Sequence, residues 1–482
     1  MQKIAIAKGD GIGLEIMDAV LNIFNAVNVP LSYQEVEMGK WVYDKGHPSG
    51  MTQEAKDIIE NCSILFKGPM ETPKGKGIKS LNVTARKTWN TFANVRVFKT
   101  LPGVETIFSK ANIPINITII RENIEDTYGG IEHLLSYDLA LCRRFISRPG
   151  CAQVLRYTFD MASKYGIKKI TCGHKANIMK LTDGLFLETF YAIATEYPHI
   201  QANDIIVDDL CMKLVTRPDL FEAIVLTNFQ GDIVSDLCAG LVGGLGFAPS
   251  SNIGNDISIF EAVHGTAPDI AGKNIANPTA LLLSGIAMLR HLGIMIESAI
   301  IENALLYTLE KQIRTSDFGN KAFPAYSTSE FTQKIIENIG KKPSNHSVEV
   351  VKNFYITKTK FHEKTNTIIR SANKPELSIQ GFDYFVAHEE QPAHLINICL
   401  ASQNNLLKLT GISNRGTQIW PNSSIFTNLI ELYCCRFEKI DESSTIEQKD
   451  MIEIFQKLSL HFKVFSIETL HKLQEKMLFS SI

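Results

Sequence analysis

Lys3-Ile4-Ala5-Ile6-Ala7-Lys8-Gly9-Asp10-Gly11-Ile12-Gly13 opens the chain with a short apolar run that breaks into three alternating glycines. The run reads as a buried strand, and the glycines as a tight turn into a helix over residues 14–26. A strand, a glycine turn and a helix invite comparison with the dinucleotide phosphate loop GxGxxG. Its third small residue would fall at position 14, which is Leu14, and no acidic residue closes a second strand about 20 residues further on. The turn is therefore read as structural, with glycines where the backbone must pass close to a neighbour. That makes the fold α/β but not Rossmann.

The alternation continues outward from this turn. Short apolar runs at 63–67, 116–120, 169–172, 205–207 and 223–226 are interleaved with amphipathic stretches, which predicts a sheet covered by helices. Residues 137–148 read as extended segments projecting from that body. The composition shifts after about residue 340, and 341–347 (KKPSNHS) reads as a linker. Beyond it, strands at 382–388, 406–419, 429–437 and 463–468 and helices at 392–402 and 446–462 give the order β-α-β-β-α-β. That is a small ferredoxin-like α+β unit. With 482 residues, more than one domain is expected.

Composition removes several function classes. Lys and Arg number 49 against 51 Asp and Glu, so no charge excess calls for nucleic acid or a membrane surface. No apolar run approaches the roughly 20 residues that span a bilayer. The nine cysteines include no CxxC pair, which speaks against a zinc ribbon or a secreted disulfide framework. The first residues enter a strand directly, without a leader pattern, so a cytoplasmic protein is expected.

Chemistry concentrates in the first 340 residues. Arg86, Arg96 and Arg121 offer guanidinium forks, and Ser80 and Asn82 add donors at a helix start, a set suited to a small polycarboxylate. Asp232 and Asp236 are spaced i, i+4, which places both carboxylates on one helical face. Hard oxygen ligands without His or Cys suit Mg²⁺ or Mn²⁺ rather than zinc.

Residues 79–96 (KSLNVTARKTWNTFANVR), 121–132 (RENIEDTYGGIE), 174–180 (HKANIMK), 228–236 (NFQGDIVSD) and 261–278 (EAVHGTAPDIAGKNIANP) follow in this order. Together they resemble the β-decarboxylating dehydrogenases, which act on isocitrate, isopropylmalate, tartrate or homoisocitrate. The tail, through 416–421 (GTQIWP) and 434–437 (CCRF), resembles that of a longer bacterial isocitrate dehydrogenase branch. The resemblance implies a large cofactor-binding domain from residues 1–100 and 250–340, a dimerisation domain from 101–249, and an accessory domain from 341–482. Within the family, Ser80-Leu81-Asn82 is the isocitrate pattern. An isopropyl group there would strand two polar side chains.

The resemblance further implies a homodimer or higher homo-oligomer. In it, Asp208 completes the metal site of the neighbouring subunit, with Asp209 next to it a possible confusion. Lys175 and Asp208 would take the substrate hydroxyl's proton as hydride leaves, and Tyr128 would reprotonate the enol after decarboxylation. Thr72, His264, Gly265, Thr266, Ala267, Asp269, Ile270 and Asn277 fall where the family contacts its nicotinamide cofactor. NADP-using bacterial members carry Lys-Tyr at the positions of Asp269-Ile270. An acid there favours ribose hydroxyls over a dianionic phosphate, so NAD is expected over NADP. Isopropylmalate or homoisocitrate dehydrogenase, and a non-catalytic regulatory subunit, are the rival readings.

Overall fold

The computed structural model describes residues 1–71, 80–345, 347–349, 377–422, 428–474 and 476–480. The opening run is the strand Gln2–Ala7, parallel to Leu31–Glu35 on one side and Ile64–Lys67 on the other. The sheet continues through Ser258–Ala262, Pro249–Ile253, Ala93–Lys99, Asn116–Glu122, Ala223–Leu226 and Lys169–His174 to Gln201–Ile206, ten strands among the described residues. Its direction changes in the middle. Pro249–Ile253 is antiparallel to both neighbours, and Ala93–Lys99 is antiparallel to Asn116–Glu122. Four parallel strands on each flank therefore run in opposite senses, joined at the centre by antiparallel pairs. Parallel flanks of this kind need cover on both faces, and Ile64–Lys67 and Ala223–Leu226 are buried along their whole length.

The first helix shows how that cover is made. Gly13–Ala26 buries Ile16, Met17, Val20, Ile23 and Phe24, one stripe at helical spacing. Phe24 stacks on Phe66 of the sheet with ring centroids 6.2 Å apart. The glycine turn before this helix is structural, as its sequence predicts. Gly11 has φ +61°, and a Cβ there would lie 2.1 Å from the Thr266 carbonyl oxygen. The amide of Ile12 donates to that same carbonyl at 2.9 Å.

The contacts divide the described residues into two units, those within 1–132 and 142–369 and those within 133–141 and 370–482. The second unit carries a six-stranded antiparallel sheet. Its central order is Leu407–Asn414, Leu432–Lys439, Ser378–Ala387, Lys463–Leu473, with helices Pro392–Ala401 and Gln448–Ser459 in the connections. This is the ferredoxin-like arrangement, extended at either edge by Thr417–Trp420 and Lys476–Met477. Cys434 and Cys435 face opposite sides of their strand and are free thiols, Cys435 in the core.

Residues 137–148 depart from the expected extended pair. They hold one strand, Ala140–Arg143, whose partner is Ile131–Leu134, and the helix Arg148–Tyr165 takes the last of them. Both strands are largely exposed, so they lack the buried alternation that marks a strand in sequence. Of the expected linker, His346 lies outside the described residues. Among the described residues, no helix is long and apolar enough to cross a membrane.

Candidate active site

The strand Ala93–Lys99 brings Asn94 and Arg96 to one face of the sheet, two residues apart. Arg96 is buried. Its Nε donates to Asn94 Oδ1 at 2.7 Å, and its Nη1 donates to Ser235 Oγ at 2.6 Å and Asp236 Oδ1 at 3.3 Å. Arg121, near the end of the neighbouring strand, donates from Nε to Asn228 Oδ1 at 2.9 Å and from Nη1 to Asp232. Arg86 comes from the helix Leu81–Thr88 and donates from Nη2 to Glu261 at 3.0 Å. Ser80 caps that helix and Asn82 sits in its first turn. Asn82, Arg86, Arg96, Ser250, Glu261, His264 and Gly265 line one pocket.

Several polar atoms of this group are buried without a protein partner: Asn82 Oδ1, Arg86 Nε, Arg121 Nη2 and His264 Nε2. Each such atom costs about 1–3 kcal/mol unless a ligand or water supplies its hydrogen bond. The charges carry the same message. Burial, and then the neighbouring Arg121, push the Arg96 guanidinium down to about 10. Burial lowers Arg121 as well, against the pull of Asp232. Three crowded cations of this kind are relieved by an anion.

Beneath the arginines runs a polar network that the sequence motifs left without a role. Asn94 Nδ2 donates to Ser250 Oγ at 2.7 Å and Asn252 Oδ1 at 2.8 Å. Asn252 in turn donates to Glu261 at 2.8 Å, and Glu261 pairs with Lys67 at 2.5 Å, both ends of that pair almost fully buried. Burial alone would raise the Glu261 carboxyl, but Lys67 and Arg86 hold it well below the usual carboxylate range. The available signal was a charged residue, Lys67, inside a run otherwise read as an apolar strand.

Tyr128 lies in the short turn Asp126–Gly129, and its hydroxyl donates to Asp232 Oδ2 at 2.5 Å. Burial pushes this phenol up, so it holds its proton. Lys87 steadies the turn through the Tyr128 carbonyl at 2.6 Å. Asp232 and Asp236 share one face of the helix Asn228–Leu241, and both keep some solvent access. Burial would raise Asp232, yet Arg121 and the Tyr128 hydroxyl leave it lowered. Asp236 is raised, mainly by burial. Lys175 pairs with Asp208, which begins the helix Val207–Thr216. Within one chain, the described residues contain no group of three His, Cys, Asp or Glu able to hold a metal. Asp232 and Asp236 are two carboxylates on one helical face, with no third such group completing a cluster among the described residues.

The loop after the strand Ser258–Ala262 presents the remaining candidates. Burial lowers the His264 imidazole, leaving it neutral near pH 7. Gly265, Pro268 and Asp269 are exposed, Thr266 is buried, and Ile270 is packed against the core. Asn277 is buried and bonds Asp317 at 3.1 Å. Thr72, and Lys79 of the first motif, lie outside the described residues.

A family model described as Isocitrate/isopropylmalate dehydrogenase matches residues 3–335, and one described as Bacterial isocitrate dehydrogenase, C-terminal domain matches residues 377–482. A Thermus thermophilus protein named Isocitrate dehydrogenase [NADP] is 41% identical over 98% of this chain and 93% of its own. A Rickettsia bellii protein of the same name is 39% identical, over 95% and 94%. The crystal structure of the TT0538 protein from Thermus thermophilus superposes with TM-score 0.91 at 40% identity, covering 99% of this chain and 95% of that one.

Proposed function

The chain belongs to the isocitrate/isopropylmalate dehydrogenase family, in the longer bacterial isocitrate dehydrogenase form, and on that premise we propose that it oxidises and decarboxylates isocitrate using Mg²⁺ or Mn²⁺ and NAD. The observation that carries the substrate assignment is the pair of partnerless guanidinium nitrogens, Arg86 Nε and Arg121 Nη2. A tricarboxylate supplies acceptors for the guanidinium donors, whereas an apolar substituent would leave them stranded.

In this reading, Arg86, Arg96 and Arg121 orient the carboxylates. A substrate carboxylate that takes over Arg121 frees the Asp232 oxygen which that arginine now occupies. Asp232 and Asp236 would then hold the divalent cation, with Asp208 of a second copy as the third ligand. A cation held there polarises the substrate hydroxyl and the carbonyl it becomes, and the nicotinamide accepts the hydride. Lys175 and Asp208 accept the hydroxyl proton. Tyr128, which keeps its proton at neutral pH, delivers it to carbon after carbon dioxide leaves.

A second copy is supported by apolar exposure on the two helices that carry these ligands. Met212 and Val215 on one, and Phe229 and Ile233 on the other, are each about half exposed. The division of the body into a cofactor-binding part (1–100 and 250–340) and a dimerisation part (101–249) goes with that assembly. For the cofactor, Asp269 is the deciding charge. It repels a 2′-phosphate and accepts a 2′-hydroxyl, although the Thermus and Rickettsia relatives are named for NADP.

The test is reduced-nicotinamide formation by the purified protein with isocitrate and Mg²⁺, with NAD and NADP assayed separately. Turnover with a higher kcat/KM for NAD is the expected result. A preference for NADP would overturn the role given to Asp269, and no turnover with either would overturn the substrate.

A further inference from the structure

Arg144 stands outside the pocket, on no motif singled out in the sequence, yet it joins the two segments that carry the proposed proton-transfer groups. Its Nε and Nη2 donate to the two carboxylate oxygens of Asp126, and its Nη1 donates to Asp183 Oδ1 at 2.7 Å and Thr182 Oγ1 at 2.8 Å. Its Nη2 also reaches Thr227 Oγ1 at 3.3 Å. Both carboxylates are fully buried.

Each acid then passes the constraint on. Asp126 opens the turn that holds Tyr128, and its Oδ2 accepts the Phe229 amide at 3.0 Å, at the start of the helix bearing Asp232 and Asp236. Asp183 Oδ2 accepts the backbone amide of Lys175 at 2.6 Å and Gln230 Nε2 at 2.7 Å, and Gln230 is on that same helix. Asp126 is held at φ +68°, a conformation that a non-glycine residue adopts at a cost of about 1 kcal/mol or more. A glycine would avoid that cost. The carboxylate is what a glycine would lack, and besides the adjacent Thr127 amide it binds Arg144 and the Phe229 amide.

We propose that Arg144 is a positioning residue that fixes the Tyr128 turn, the Lys175 turn and the metal-ligand helix in one geometry, so that a chain's own proton donor and the proton acceptor it would lend to a second copy are set together. The guanidinium is suited to this because a single planar fork meets two buried carboxylates at once, which a lysine ammonium cannot reproduce. The inference rests on the roles given to Tyr128 and Lys175 above.

The experiment compares wild type, Arg144→Met, Arg144→Lys and Asp126→Gly in steady-state isocitrate oxidation, and combines Arg144→Met with Tyr128→Phe. The expected result is a kcat lowered roughly 10–100-fold in Arg144→Met with KM for isocitrate changed less than about threefold, since misplacement costs the reacting geometry rather than binding. Arg144→Lys should fall between the two. Asp126→Gly relieves the positive φ but removes a buried partner of Arg144, so it should fold with a lowered melting midpoint and still lose kcat. It carries the test if Arg144→Met does not fold. The double variant should lose less than the product of the two single losses, because part of the Arg144→Met loss runs through Tyr128. Multiplicative losses, an effect confined to KM, or an unchanged kcat in Asp126→Gly would overturn the proposal. Wild type inactive on isocitrate would instead overturn the functional reading, a distinct outcome.

Discussion

At the residue scale, the legible part of the site is the part whose side chains need particular chemistry at a fixed spacing. Asp232 and Asp236 could be placed on one helical face from i, i+4 alone, and the helix Asn228–Leu241 does so. The proposed NAD preference rests on a single charge, Asp269. The double variant Asp269→Lys/Ile270→Tyr is therefore expected to raise kcat/KM for NADP by about tenfold or more while lowering that for NAD. Both are read from initial rates at saturating isocitrate, and an unchanged ratio would remove this loop from cofactor choice. Asn94, Ser250 and Asn252 were not legible, because an asparagine or serine in a strand says nothing of its partner until the strands are paired.

At the element scale, the alternation of apolar runs predicts six of the ten described strands and their cover, but not Leu31–Glu35, nor Ala93–Lys99, Pro249–Ile253 and Ser258–Ala262 at the centre, where the sheet reverses. No single-strand pattern states its neighbours' direction. That reversal is where the buried charges sit. Lys67, Asn252 and Glu261 belong to three adjacent strands, and Arg86 joins them from a helix. Glu261→Ala leaves the Lys67 ammonium buried without its partner, a change expected to cost about 3–5 kcal/mol. Urea unfolding checks the stability. A rise in KM for isocitrate in the same variant would report the loosened Arg86. A loss below about 1 kcal/mol would mean that Lys67 finds another partner or water. The exposed pair Ile131–Leu134 and Ala140–Arg143 marks the opposite limit, where an element without a buried face leaves no pattern to read.

At the scale of the whole molecule, the chain alone brings Lys175 to Asp208 but not Asp208 to Asp232 and Asp236. If a second copy completes each site, two inactive variants should rescue one another. Tyr128→Phe and Lys175→Met proteins, each expected to turn over slowly, would on mixed refolding give hybrid dimers with one site carrying both changes and one carrying neither. About one quarter of wild-type activity is then expected at equal mixing in a symmetric dimer. No recovery, with hybrids shown to form, would place Lys175 in its own chain's site. Near-normal turnover by either single variant would remove its role altogether. The order of strands in the sheet has a consequence in time as well as in space. Ser258–Ala262 inserts beside Ile64–Lys67, and Pro249–Ile253 beside Ala93–Lys99. During synthesis, the apolar edge of Ile64–Lys67 must therefore wait for some two hundred residues of chain before its neighbour exists, a long loop to close and an aggregation hazard while it stays open. Arg86 meets Glu261 only at that closure, so a nascent or truncated chain has no working pocket, and regained activity is a reporter of the slowest, most non-local step of folding.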